Sequence, residues 1–357
     1  MGEGIENPEV LPLAGGPEAG GGAISMSRFG DGVALGNLLP GDPLYEAAQQ
    51  VAASIRAAKS PATRRAYASD WRHFEQWCRR NGLIFLPATP QSVALYIGYL
   101  AKPDDGGKPR TVATITRRLA AINMAHKAAR YAPPAKMDDP LLAETFHGTC
   151  RRLGKKQKAK LPLTLDKIVQ LLGAVDGPIA GARDQALLLV GFVGALRRSE
   201  LAAIRVEDLV PHRKGYTIRI PRSKTDQEGQ GREVDLLLGA HDRTCPVLAL
   251  ENWLKVANIK EGPVFRHVGL YGNVLGGLSG DAVGRIVKRL VSRARLDDPA
   301  EYGGHSLRAG FVTEASANGA SDRQIMRQTG HKSRAMIDRY SRAEQRDRQS
   351  AVSKLGV

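Results

Sequence analysis

Residues 151–160 read Arg-Arg-Leu-Gly-Lys-Lys-Gln-Lys-Ala-Lys, six bases and no acid in ten positions. Inside a core those cations would need partners that the run does not contain. Such a run is a solvated linker or a nucleic-acid contact, and here it falls between two expected domains. At 357 residues the chain is long enough for two such domains. We place the first at 43–150, a basic linker at 151–162 and the second at 163–357.

The first half reads as all helix. Ser60-Pro61 is a helix start, a serine N-cap with proline at the first helical position. Tyr67, Trp71, Phe74 and Trp77 then recur at helical spacing and are expected in the core, with Arg64, Arg65, Arg72, Arg79 and Arg80 on the opposite face. Further helices are expected over 90–100, over 110–131 with its basic pair Arg117 and Arg118, and over 140–153 after the Pro133-Pro134 break. Residues 1–42 are rich in Gly and Pro, lack an apolar period and read as a flexible tail.

The second half opens with a helical pattern over 163–172, where Thr164 is a candidate cap. The longest apolar run, residues 186–196, predicts a buried helix over 183–200 and is too short to span a bilayer. Residues 216–220 alternate like a half-buried strand, 226–231 supply a turn and 232–238 return. The pattern is helical from there, with breaks at Gly276-Gly277, Gly303-Gly304 and Gly330. The expected fold is mainly α: an all-helical N-terminal bundle, then an α+β domain of helices with a small antiparallel sheet.

Lys and Arg total 52 against 36 Asp and Glu, a net charge of +16. Residues 1–59 hold seven acids and three bases, which leaves +20 on the remainder. A body that basic suits a polyanion, and nucleic acid is the usual one. The N-terminus has no basic start followed by an apolar stretch, so no secretory signal is read. Cys78, Cys150 and Cys245 are far apart and show no metal-ligand spacing. A reduced cytoplasmic protein with no membrane association is expected, working at the nucleoid.

Six polar residues of the second half suggest chemistry. Arg197 and Glu200 are three apart on the expected helix and would share a face, with Arg198 competing from about 100° around it. His305 and Arg308 follow Gly303-Gly304, where a helix start would aim N–H groups at an anion. Lys224 lies near the hairpin tip, and Tyr340 falls on a short expected helix, 333–342, after Gly330-His331. Taken singly, each has an ordinary structural explanation: a surface salt bridge, an N-cap, an edge-strand lysine, a core tyrosine. Together, two arginines, a lysine and two histidines could surround one phosphate, and a tyrosine hydroxyl could attack it. Arg64, Arg65, Arg117, Arg118, Arg151, Arg152, Lys155, Lys156, Lys158 and Lys160 are the candidate contacts to a DNA backbone.

The order Arg197-Arg-Ser-Glu-Leu201, Lys224, His305-Ser-Leu-Arg308, Gly330-His331 and Tyr340, nine residues after that histidine, resembles the tyrosine recombinase (phage integrase) family over 160–345. The simple Xer-like or Cre-like type, without an arm-binding domain, fits best, and the bundle resembles the family's SAM-like core-binding domain. The resemblance implies a site-specific recombinase that cleaves and rejoins DNA through a 3′-phosphotyrosine and a four-way junction, with no metal, ATP or other cofactor. Tyr340 would be the nucleophile, Arg197, Arg308 and His331 would stabilise the phosphate, His305 would assist proton transfer, Lys224 would protonate the leaving oxygen and Glu200 would support the site. The implied partner is double-stranded DNA with short inverted-repeat core sites. A homotetramer would form on two sites, and the free protein would be a monomer or weak oligomer. A type IB topoisomerase-like enzyme and a non-catalytic DNA-binding protein are the alternatives. Two departures, Thr329 where the family often has leucine and Gly194-Ala195 for the frequent Thr-Gly, are not expected to touch the chemistry.

Overall fold

The computed structural model describes residues 41–102, 108–154, 159–221 and 231–341. They are mainly helical, and the chain separates into two compact units, Met1–Gln157 and Lys158–Val357.

The first unit contains α1 (Tyr45–Ala57), α2 (Pro61–Arg80), α3 (Pro90–Ala101), α4 (Val112–Ala128) and α5 (Pro140–Leu153). Proline opens α2, α3 and α5, where no intrahelical amide is lost. Ser60, Thr89, Thr111 and Asp139 each accept a bond from the amide three residues on, at 3.1, 3.2, 3.3 and 2.9 Å. Such a cap contributes about 1 kcal/mol. Trp71 and Phe74 from α2, Tyr96 and Ile97 from α3, Ile115 and Ile122 from α4 and Leu142 from α5 form the core. Trp77 packs on its edge, its ring 5.0 Å from that of Tyr96.

Arg118 departs from the expected surface role. It is buried in this unit, with Nη1 donating to Tyr96 Oη at 3.0 Å and lying 3.0 Å from His73 Nδ1. Buried Asp70 faces it and takes two bonds from Arg117, at 2.7 and 3.1 Å. A guanidinium enclosed among a carboxylate, a phenol and an imidazole is structural, so Arg118 is withdrawn as a backbone contact.

The second unit runs α6 (Leu165–Gly173), α7 (Pro178–Val193), α8 (Arg198–Ala203), β1 (Leu209–His212), β2 (Gly215–Ile220), β3 (Arg232–Leu237), α9 (Pro246–Val256), β4 (Arg266–Val268), β5 (Val274–Gly277), α10 (Gly280–Arg293), α11 (Gly304–Ala317), α12 (Asp322–Thr329) and α13 (Arg334–Ser341). Buried Leu187, Leu188, Leu189 and Val190 make α7 the central element of its core, which also takes in Trp253 of α9 and Leu307 of α11. β1, β2 and β3 form an antiparallel sheet in that order. Ile218 and Ile220 alternate inward on β2 and Val234 and Leu236 on β3, as a half-buried sheet requires.

Three features differ from expectation. The predicted helix 183–200 is two helices, because the chain turns at Gly194-Ala195 before α8 begins at Arg198. Ala195 is buried with φ +47°, a left-handed conformation that costs an alanine roughly 1–2 kcal/mol. β1 and the β4–β5 hairpin are additions to the expected elements. Their strands have only three or four residues, and β1 contains Pro211.

Candidate active site

The turn between α7 and α8 makes Arg197 the N-cap residue of α8 and Glu200 its third residue. They meet through this geometry and not through a shared helix face. The Glu200 carboxylate accepts from the Arg197 backbone N–H at 3.0 Å and from Arg197 Nη1 at 2.5 Å. Arg232, at the start of β3, adds a third bond to the same carboxylate at 2.9 Å. Burial pushes the Glu200 pKa up, but Arg232, the Arg197 amide and the Arg197 guanidinium outweigh it and hold the group below its ordinary value. Glu200 is therefore a fixed anion between two arginines. Arg198, the competitor, turns to the surface and pairs with Asp281 at 2.9 Å.

Helix α11 brings in two more residues. His305 is its second residue and lies open to solvent. Arg308, one turn further, is 1% exposed and donates from Nη1 to the carbonyl of Ala195 at 2.8 Å. The strained residue thus fixes Arg308 from two positions before Arg197. Although His305 reaches solvent, crowding by protein removes part of its hydration. With the charges of Arg308, Arg197 and Arg198, this keeps its pKa below the ordinary value.

His331 follows Gly330, whose φ of +68° ends α12 in a left-handed cap. The imidazole is buried, with Nδ1 3.0 Å from Thr329 Oγ1. Burial, then Arg308, Arg197, His305 and Arg232, push its pKa down to about 3. The fields of Arg197, Arg232, His305 and Arg308 thus converge on one imidazole. The guanidiniums of Arg197, Arg232 and Arg308 form a cationic donor set suited to an anion.

Tyr340 falls on α13, and what its side chain does lies outside the described features. Ile337, three residues earlier, is buried against Val312 of α11 and Ile325 of α12. Val312 stands one turn after Arg308 on α11, so α13 docks beside the arginine. Lys224 lies outside the described residues, in 222–230, which joins β2 to β3 beyond the Ile220–Arg232 pair.

Of the proposed backbone contacts, Arg65, Arg151 and Arg152 are exposed and Arg64 is half-buried. Arg117 is exposed but held by Asp70. Lys160 is exposed and donates to the Ala300 carbonyl. Lys155, Lys156 and Lys158 lie outside the described residues. Sequence reasoning missed Arg232, whose only signal was a base opening the second strand. It joins Glu200 to the Gln328 carbonyl at 2.8 Å, and Gln328 in turn donates to Val193 and Asp235 carbonyls at 2.9 and 3.0 Å. This ties α12 to α7 and β3. Among the described residues no helix is long and apolar enough to cross a membrane.

A model of the phage integrase family matches residues 161–346, more than half of the chain. The chain belongs to the phage integrase family. It is 38% identical over 291 residues to an integrase/recombinase xerD homolog of Selenomonas ruminantium, covering 80% of this chain and 83% of that protein. It is 27% identical over 310 residues to the recombinase cre of Escherichia phage P1, covering 80% and 85%. Among solved structures, XerH recombinase in a post-cleavage complex with palindromic difH aligns with a TM-score of 0.56 at 16% identity, over 86% of this chain and 84% of that one. A lambda integrase tetramer bound to a Holliday junction aligns at 0.52 and 18% identity, over 84% and 76%. At those identities the structures establish the shared fold. By family and relatives, this integrase is an enzyme, a site-specific tyrosine recombinase, and neither a topoisomerase nor a non-catalytic binder is favoured.

Proposed function

We propose that the chain cleaves and rejoins double-stranded DNA by direct transfer of a phosphate between a DNA hydroxyl and Tyr340. The observation that carries this reading is the convergence of Arg197, His305, Arg308 and His331, from three separated segments, beside the helix that bears Tyr340. The tyrosine oxygen attacks the scissile phosphorus and becomes bonded to the 3′ phosphate, and the bond to the 5′ oxygen breaks. Arg197 and Arg308 hold the non-bridging oxygens with directed N–H pairs, a geometry lysine does not reproduce. His305 assists proton transfer, His331 lies against the phosphate and Lys224 protonates the 5′ oxygen. Glu200, with Arg232 behind it, orients Arg197. A partner strand's hydroxyl reverses the attack, so bond energy is conserved without ATP.

The DNA is a pair of short inverted-repeat core sites, held by four copies that pass through a four-way junction in the cytoplasm, at the nucleoid. Support comes from the relatives: XerH is bound to a palindromic substrate and lambda integrase forms a tetramer on a junction. The bundle 43–150 contributes core-site binding, and the basic run 151–160 the joint between the halves.

The test is a duplex selected by the purified chain from a random-sequence pool and then nicked, so that cleavage releases a short strand and traps the product. A covalent protein–DNA adduct formed in chelator and without ATP is expected. Tight binding with no adduct would refute the reading.

A further inference from the structure

Tyr302 stands immediately before Gly303-Gly304, where α11 begins, and is 0% exposed in the core of the second unit. Its hydroxyl donates to Asp297 Oδ2 at 2.8 Å and accepts from Lys167 Nζ at 3.0 Å. Lys167 Nζ also lies 3.7 Å from the Asp297 carboxylate and 5.5 Å from the centre of the Tyr302 ring. One phenol thus joins α6, the connection that follows α10 and the entry to α11. Burial pushes the Tyr302 pKa up, so the hydroxyl keeps its proton for Asp297. The bond to the phenol holds the Lys167 pKa above its ordinary value, so the ammonium stays charged. Neighbouring bonds run the same way. Leu161 N–H donates to the Glu301 carbonyl at 3.0 Å, Leu163 N–H to the Ser306 carbonyl at 3.0 Å and Lys160 Nζ to the Ala300 carbonyl. Residues 160–167 are thereby fastened along residues 300–306.

We propose that Tyr302 is a positioning residue, whose hydroxyl, held between Lys167 and Asp297, sets the entry to α11 and with it the placement of His305 and Arg308 against the DNA phosphate. The inference rests on the recombinase reading above and adds to it a group that acts through others, with no bond made or broken at Tyr302 itself. The entry to α11 needs such a fastening, because the glycine at 303 leaves its backbone free to turn. The space there is also narrow. A Cβ on Gly304 would lie 2.8 Å from Arg198 Cβ, so the start of α11 is seated against α8, beside Arg197. A shift at 302 therefore reaches His305 within three residues and Arg308 one turn later. Lys160 ends the basic run 151–160, so the linker and the helix that carries His305 and Arg308 share this anchor.

The test compares Tyr302→Phe, which removes only the hydroxyl, with Lys167→Met and Lys167→Arg in the full chain. On the nicked duplex at saturating concentration, the phenylalanine variant should form adduct about tenfold more slowly, the scale of a lost hydrogen bond to a charged group, with the affinity for duplex kept. Lys167→Met, which leaves the phenol intact, should slow the step in the same direction. Lys167→Arg, which can still donate to the phenol, should stay near the parent. In the nitrogen-15 spectrum of histidine-labelled protein free of DNA, the His305 ring signals should move in the phenylalanine and methionine variants and stay in place in the arginine variant. A phenylalanine variant that keeps both the adduct rate and the His305 signals would overturn the proposal. So would a loss of duplex affinity equal to the loss of rate, or an arginine variant as slow as the methionine one. If phenylalanine prevents folding, the two Lys167 variants still decide it. Failure of the parent to form any adduct would remove the recombinase reading, while the His305 signals would still report on Tyr302.

Discussion

Arg308 is enclosed by protein and held through Nη1 by a backbone carbonyl, so its guanidinium is oriented before any phosphate arrives. Lysine has no second arm to keep both that bond and a directed pair to phosphate. Arg308→Lys should lower adduct formation roughly 10²–10³-fold, as loss of a preorganised donor does, and change duplex affinity little. Equal losses in both would mean that the residue only binds. His331 gives a pH prediction. Its pKa is about 3 in the folded protein against an ordinary value of 6.5. Between those values the unfolded chain binds a proton that the folded one refuses, so stability falls as pH drops from about 6.5 to about 3. Buried His126, lowered by desolvation and opposed by its bond to the Ile122 carbonyl, adds to the same slope. Thermal unfolding across that range should show a shallower decline in His331→Gln than in the parent. Arg197, His305, Arg308 and His331 can be picked out in the sequence only as a set, by their order and spacing, and the structure brings their charges together. Arg232 is invisible in the sequence and Thr329 stands out there only as a departure from the family pattern, since an ordinary strand-opening arginine and an ordinary threonine make their contacts only once folded.

At the scale of elements, helix α11 is positioned by close approach. A Cβ on Gly310 would overlap the Leu163 carbonyl oxygen, and the Leu163 amide is itself bonded to the Ser306 carbonyl at 3.0 Å. Neither backbone yields easily, and α11 carries both His305 and Arg308. Gly310→Ala should therefore destabilise the protein by about 1–3 kcal/mol, the range for overpacking, and should depress cleavage as well. A methyl group added at Gly148 in α5 would meet nothing within 4 Å, and Gly148→Ala should gain up to about 1 kcal/mol from helix propensity. Denaturant midpoints of the two variants check both signs. Most helices of the bundle are readable in the sequence because proline, caps and apolar period agree at their starts. A single helix over 183–200 is the natural reading because apolarity continues through Gly194 and Ala195, where only the backbone conformation reverses. That reversal is what separates Arg197 from the core helix and sets it beside Glu200.

For the whole molecule, the net charge of +16 suits a polyanion, and salt dependence measures how it acts. Replacing Lys155, Lys156, Lys158 and Lys160 with Gln should weaken binding to all duplexes similarly. If each contacts one phosphate, the log–log salt slope should shrink by roughly 0.9 per residue, or about 3 to 4 in total. Lys160, which also donates to the Ala300 carbonyl, should contribute least. An unchanged slope would leave the run as a solvated joint only. The central claim is that Tyr340 carries the DNA, and peptide mass spectrometry of the trapped adduct measures it directly. The account predicts a single modified peptide with a 3′-linked nucleotide on Tyr340, and no adduct at all from Tyr340→Phe at undiminished DNA binding. A nucleotide on Tyr302 or any other side chain, or an adduct that survives the phenylalanine substitution, would contradict it.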